Sequence, residues 1–571
     1  MKRKSKLLII VCLSVNLFAS AQLSFQQKAY TQADSLRGSL NENRDWWDVW
    51  GYDLRITPNI NTKTISGAVT IFYNKIKSGN ALQIDLQEPL IVDSVVSMET
   101  IYSKTSIEKK RISHNFKRAG NIILVMPSAE FLAKRMASIT IYYHGTPKAA
   151  KRAPWDGGLV WGKDAKGNPW ITTACQGLGA SAWWPCKDHQ SDEPDNGVMI
   201  SVTVPDTLVN ISNGKLLNEK ADGNGNKTWT WTVSNPINLY NVSMNIGKYT
   251  HWNDTLQGLK GKLTLDYWVL DDNLTKAKQQ FEQVKPMLRA FEYWFGPYPF
   301  YKDGYKLVET NYLGMEHQSA VAYGNKYMNG YMGRDLSGSG WGLKWDYIII
   351  HETGHEWFGN NITTKDIADM WVHEGFTQYS EVIYTDYMFG RQAADEYCYG
   401  LRRNIRNDIQ LIGSYGVNKE GSGDMYPKGA NIIHTIRNVM NNEKQFLALM
   451  RGLNKTFYHQ TVTSAQVEKY ISKMAGIDLQ PFFDQYLRTT QIPTLEYYFS
   501  ADAKQIFVRW TNCNKAFQLP ISLQKNGQVL KLYPKAEEWR KIATQGKWDA
   551  EAVQQLKQNL YINIKEVQPN P

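Results

Sequence analysis

Residues 351–355 read His-Glu-Thr-Gly-His, and nineteen positions after His355 stands Glu374. This pattern constrains the fold because it needs a helix at a fixed place and a second element that returns a carboxylate to it. On a helix, positions i and i+4 share one face, so His351 and His355 can put two imidazoles on one metal. Glu352 points to another azimuth, where it reaches water rather than metal. Two neutral nitrogens and a carboxylate from Glu374 leave the fourth tetrahedral position open, the arrangement of a catalytic zinc, one per chain. Such an ion lowers the pKa of its water to about 7 and polarises a carbonyl under attack. Glu352 is the candidate general base that takes the proton and returns it to the leaving amine. The apolar run Trp345–Ile350 suits a buried helix, expected to continue through Trp357, Phe358, Gly359 and Asn360. Glu374 belongs to a further helix with Phe376, Tyr379, Val382 and Ile383 at helical spacing and Gly390 as its stop.

At 571 residues the chain is too long for one core, so several domains are expected. From Asp53 to about Tyr249 short alternating runs separated by Gly, Asn and Pro turns predict β structure, a sandwich or saddle-like domain over residues 22–250. Around Asp271 the period changes. A helix is expected over Asn273–Trp294, closed by Gly296 and Pro297. A short strand follows at Lys306–Glu309, with later helices at about Gly429–Asn441 and Leu479–Leu487. Thr463 and Gln466 form a capping box before a helix ending at Gly476. The glycines between Gly330 and Gly342 suggest a mobile loop. Residues 251–490 therefore read as the metal-bearing domain. Alternation returns after Pro493, and residues 491–571 read as a small β domain.

The N-terminus reads as an export signal. Lys2, Arg3, Lys4 and Lys6 precede the apolar run Leu7–Val15, and Ala19-Ser20-Ala21 is a small-x-small cleavage site, so residues 1–21 are expected to be removed. That run is too short to span a bilayer, and no other stretch approaches about 18 apolar residues, so no stable membrane insertion is expected. Export places the protein in a periplasm or outside the cell. Taking the four signal cations from the formal net charge of +11 leaves +7, with no dense basic run interleaved with aromatics, which disfavours nucleic acid as a partner. Export permits disulfides, and Cys175 and Cys186 are near enough in sequence to pair or to stay free.

Six segments, in order, resemble the aminopeptidase N family of zinc metallopeptidases. They are Trp184-Pro185-Cys186-x-Asp188, Phe295-Gly296-Pro297-Tyr298-Pro299, Gly314-Met315-Glu316-His317-Gln318, the stretch from His351 to Asn360, Trp371-Val372-His373-Glu374-Gly375-Phe376, and Tyr426-Pro427-Lys428-Gly429. The resemblance runs from about Tyr52 to Pro493. It implies a thermolysin-like, mainly helical α+β catalytic domain behind an all-β N-terminal domain. The activity it implies is hydrolysis of N-terminal residues from peptides with a free N-terminus. In this reading Glu316 binds the substrate α-ammonium, Gly314 and Met315 lie along the peptide, Gln176 also contacts the amine, and Tyr426 donates to the oxyanion. Lys428 reads as structural. Glu381 either orients a zinc histidine or is an exposed helix carboxylate. The family usually has Asn where this chain has His317, which leaves the first side-chain pocket and the low-pH behaviour open. Common long members carry a helical C-terminal domain over the site. Here only about 75 residues follow Pro493, so a more open site that tolerates long peptides is expected. A zinc endopeptidase, with no use for Glu316, and an epoxide hydrolase of the leukotriene branch are the rival readings.

Overall fold

The computed structural model describes residues 29–102 and 107–568; the expected signal segment 1–21 lies outside the described residues. The first element is a short helix that the sequence reading did not anticipate, α1 (Gln32–Gly38), opened by a capping box between Thr31 and Asp34. The β region follows. Its largest sheet has eight strands, centred on Trp47–Asn59 paired antiparallel with Thr64–Lys75 and parallel with Val198–Pro205. Alternate residues of the first strand, among them Leu54 and Ile56, are buried, as a one-faced sheet requires. A four-stranded and a three-stranded sheet complete this region. Cys175 and Cys186 are both buried free thiols, and burial pushes the Cys175 thiol up to about 12.

A five-stranded sheet joins the β region to the helical one, in the order Tyr249–Gly258, Gly261–Leu270, Tyr305–Glu309, Val321–Tyr323, Gly314–Met315. Its two faces feed two cores. Leu307, Val321 and Tyr323 pack with the helices, whereas Val308, Ala320 and Ala322 pack with the N-terminal sheets. Period-two alternation along short strands thus seats this sheet at the seam between the two regions. Its edge strand, Gly314–Met315, belongs to one of the resemblance segments.

The helix expected over residues 273–294 is two helices, Leu274–Gln280 and Val284–Phe295, joined by a tight turn at Phe281–Gln283. Pro286 explains the break: it has no N–H for the carbonyl of Glu282 and its ring crowds that oxygen. The metal helix is also shorter than expected. It covers α2 (Tyr347–Gly354), with His355 as its cap, and does not run on to Asn360. The chain turns at Gly359, whose φ of 128° lies in the region that favours glycine. The segment from Gly330 to Gly342 is stitched rather than loose: Asn325 donates to the carbonyls of Met328 and Gly330, and Asp335 accepts from Ser337 and Gly340.

Two more helices complete the site, α3 (Trp371–Phe389) and α4 (Pro427–Met440). They cross at a glycine pair: a Cβ on Gly429 would stand 2.6 Å from the Cα of Gly375. The capping box at Thr463 and Gln466 is present, and Gly476 ends that helix in the left-handed region. After Pro493 come a four-stranded and a two-stranded sheet with two short helices, Ala550–Gln554 and Leu556–Asn559. Buried residues here, such as Trp510 and Leu523, continue the core of the helical region. Among the described residues no helix is long and apolar enough to cross a membrane.

Candidate active site

Helix α2 is buried along its whole length, so each of its polar groups needs a partner inside the protein. Asp346 caps it, accepting from the backbone N–H groups of Ile348 and Ile349. His351 Nδ1 lies 2.7 Å from Glu381 Oε1, and His355 Nδ1 lies 3.0 Å from the Phe358 carbonyl. Each contact engages one ring nitrogen and turns Nε2 inward, the usual way a ligating imidazole is oriented. Of the two roles open to Glu381, the structure supports the orienting one, because the carboxylate is fully buried and its other oxygen accepts from Tyr397.

Glu374, in the first turn of α3, completes the triad. Its Oε2 lies 3.3 Å from His355 Nε2 and 3.8 Å from His351 Nε2. That oxygen is buried and has no hydrogen-bond partner among the described residues. The three ligand atoms lie within 4.8 Å of one another. A buried, unpartnered carboxylate oxygen facing two inward nitrogens, each oriented from behind, fits a tetrahedral zinc site. Burial disfavours the charge on Glu374, but the neighbouring His355 and His351 hold its carboxyl well below the usual range.

Glu352 stands beside the triad and lines the same cavity. Burial pushes its carboxyl up to about 7, close to the value that serves a general base near neutral pH. Its position also explains Gly314, where a Cβ would sit 2.8 Å from Glu352 Oε1. The motif glycine therefore makes room for the candidate base on the neighbouring helix. Met315 is buried on the same edge strand and lines the cavity beside it.

Glu316 follows that strand and is buried. Its Oε1 accepts from Tyr240 Oη at 2.8 Å and from Gln176 Nε2 at 2.8 Å. Gln176 Nε2 also lies 3.1 Å from Glu374 Oε1, so one amide joins the two carboxylates. No Lys or Arg among the described residues lies within ion-pair distance of Glu316. Burial raises its carboxyl, with His355 opposing the rise. The rest of the segment from His351 to Asn360 secures this arrangement from behind. Asn360 Nδ2 donates to the Glu316 carbonyl, and Glu356 accepts from the backbone of Ser319 and from Tyr298 of the Gly296-Pro297 turn.

Tyr426 precedes α4 and faces the His351 ring at 6.0 Å between centroids. The Gly375–Gly429 crossing brings it there. Burial, then Glu374 and Glu316, push its phenol well above the ordinary value, so it stays a donor. Lys428 is fully buried and donates to the Thr489 carbonyl, a structural contact.

The structure bears on two further points of the sequence. His317 is fully buried, does not line the cavity, and has neither ring nitrogen hydrogen-bonded among the described residues. Burial pushes its imidazole down to about 3, so it neither shapes the first side-chain pocket directly nor titrates near neutrality. The cavity has a volume of about 1260 Å³ and is partly open to solvent. Residues of α1 and of the 418–423 loop line it, and among the described residues none beyond Tyr426 does. Tyr240, Tyr397 and α1 were missed by the sequence reading. A single tyrosine in a chain with 32 of them carries no signal of its own, and α1 spans fewer than three turns.

Comparison with known proteins gives the family and the fold. The sequence model described as the peptidase family M1 domain matches residues 279–486, and the peptidase M1 N-terminal domain matches residues 50–240. Aminopeptidase M1 of Arabidopsis thaliana is 23% identical over 69% of this chain and 44% of its own. A probable aminopeptidase 2 of Sulfurisphaera tokodaii is 21% identical over 63% and 47%, and a leukotriene A-4 hydrolase of Xenopus laevis 21% identical over 53% and 49%. The chain spans about half the length of these curated relatives. Among solved structures, a variant M1 zinc metallopeptidase of Deinococcus radiodurans bound to a Tyr-Ser-Ala substrate shares the fold. Its TM-score is 0.62 at 20% identity, over 78% of this chain and 96% of that one. A two-domain M1 zinc metallopeptidase bound to L-tryptophan gives 0.61, over 76% and 92%. The chain belongs to the M1 peptidase family.

Proposed function

We propose that this M1 family member is a zinc aminopeptidase, exported from the cell, that removes single residues from the N-terminus of peptides. The observation that carries the reading is Glu316: a buried carboxylate with hydrogen-bond donors but no lysine or arginine partner, beside the metal triad and on the substrate cavity. A buried anion held this way is best matched by a cation brought by the substrate, and the α-ammonium of a free N-terminus is such a cation. An internal peptide bond would leave it unmatched, which disfavours endopeptidase action.

His351, His355 and Glu374 would hold the zinc. When bound, zinc polarises the scissile carbonyl and makes water acidic enough to attack near neutral pH. Glu352 is placed to take the proton from the attacking water and deliver it to the leaving amine. Tyr426 is placed to donate to the oxygen that becomes negative during attack. Gln176 steadies Glu316 against Glu374 and offers its amide to the substrate amine. Gly314 and Met315, on a sheet edge, can pair with the extended substrate backbone. Export rests on the basic, apolar and small-residue pattern of residues 1–21.

The test is mass analysis of a digest of an unblocked peptide of about ten residues. The expected record is a ladder of single N-terminal losses that stops when a chelator is added. Internal fragments at early times would contradict the reading.

A further inference from the structure

Helix α1 lies more than 300 residues from the metal helix in sequence, yet Asp34, Leu36 and Arg37 line the same cavity as the triad. It is fixed there from behind. Arg44, fully buried, donates to the carbonyls of Leu36, Arg37 and Ser39 and pairs with Asp85. These carbonyls have no partners within the helix, and a guanidinium suits that end of it. Gly38 comes so close to the 417–418 backbone that a Cβ would stand 2.3 Å from the carbonyl carbon of Val417.

The front of α1 meets the turn that carries Gln176. Arg37 Nη1 donates to the Gly177 carbonyl at 2.9 Å, and Asn418 Nδ2 donates to the same oxygen at 3.0 Å. Asn418 N in turn donates to the Asp34 carbonyl at 2.9 Å. Arg37 Nε also lies 3.4 Å from Asp188 Oδ2. One backbone oxygen, one residue from Gln176, is therefore held by donors from two remote segments. Gly177 has a φ of 71°, a conformation that favours glycine, so the held carbonyl belongs to a tight turn of defined shape.

We propose that Arg37, with Asn418, is a positioning residue for the substrate amine: through the Gly177 carbonyl it fixes the Gln176 amide against Glu316. This rests on the aminopeptidase reading and adds to it a part supplied by the N-terminal segment. Arg37 acts through Gln176 and touches no reacting atom. Because an amine contact is made equally in the ground state and the transition state, its loss raises KM and leaves kcat nearly unchanged.

The experiment compares wild type, Arg37→Met, Gln176→Ala and the double variant on leucine and alanine arylamides with a free amine. Arg37→Met is expected to raise KM roughly tenfold with kcat within about twofold. The double variant is expected to be no worse than Gln176→Ala alone, because the two residues share one effect. Arg37→Lys should recover part of the loss. Multiplying effects in the double variant, or a fall in kcat at constant KM, would overturn the proposal. So would a loss seen only with substrates carrying a free carboxylate, which would make Arg37 a direct anion contact. If Arg37→Met does not fold, Asn418→Ala removes the second side-chain donor while keeping the backbone bond from residue 418 to α1, and carries the same comparison. A wild type inactive on these arylamides would refute the aminopeptidase reading instead. Calorimetric affinity for L-leucinamide would then carry the same double-variant comparison.

Discussion

His351, His355 and Glu374 come from two consecutive helices, and the carboxylate that orients His351 lies on the second of them. The amine side is assembled differently. Glu316 is held by Tyr240 and Gln176 from the β region, and the Gly177 carbonyl next to Gln176 accepts from Arg37 and Asn418. The metal half is thus made inside one folding neighbourhood, whereas the amine half exists only once the N-terminal region has docked. In the proposed function, hydrolytic chemistry and the choice of substrate terminus thus rest on different segments of the chain, joined by the Gln176 amide.

That separation can be broken or sharpened by substitution. The largest effect is expected on the metal side. Tyr426→Phe keeps the ring against His351 but removes the donor, and should lower kcat by about 10²–10³ with little change in KM. A change confined to KM would place Tyr426 with the amine half instead. Glu381→Gln should come next. Losing the carboxylate behind His351 is expected to weaken zinc affinity about 10- to 100-fold, read by competition with a chelator, without changing the preference for free amines. Unchanged zinc affinity would show that α3 contributes Glu374 alone.

The smallest effect concerns His317, next to Glu316 but turned away from the cavity. Its folded value of about 3 lies below the ordinary histidine value. Its stabilising neutrality is therefore complete above about pH 6.5 and is lost as pH falls toward 3, because only the unfolded chain takes up the proton. The wild type should lose about 1.4 kcal/mol of stability per pH unit through that window from this group. His317→Met should flatten the slope, as measured by denaturant unfolding at pH 4 to 7. Equal slopes would mean that the imidazole is protonated in the folded protein.

The same division explains what could be read from the sequence. The triad and Glu352 were legible because helical geometry fixes how residues four apart relate, and because Gly390 marks a helix end locally. Gly314 was legible only through resemblance; its cause, the Glu352 side chain lying against it, is a contact between distant segments. The helix through residues 273–294 was misjudged because periodicity continues across a tight turn that Pro286 forces. Tyr240, Arg37 and the docking of α1 left no trace, since they work through hydrogen bonds to partners far off in sequence, 76 residues away for Tyr240 and 140 for Arg37. The effect of His317 stayed open because its chain neighbour Glu316 faces the cavity while its own ring packs inside, a direction that neighbouring chemistry does not reveal.

The most direct measurement is the ratio of kcat/KM for a free-amine arylamide to that for its N-acetylated form, in wild type and in Glu316→Ala. The account predicts a wild-type preference of at least ~10³ for the free amine, of the size that a site built around one polar partner can reach. It also predicts collapse of that ratio toward parity in the variant, with bound zinc unchanged. Acetylated and free substrates cleaved alike by wild type, with no response to Glu316→Ala, would contradict it.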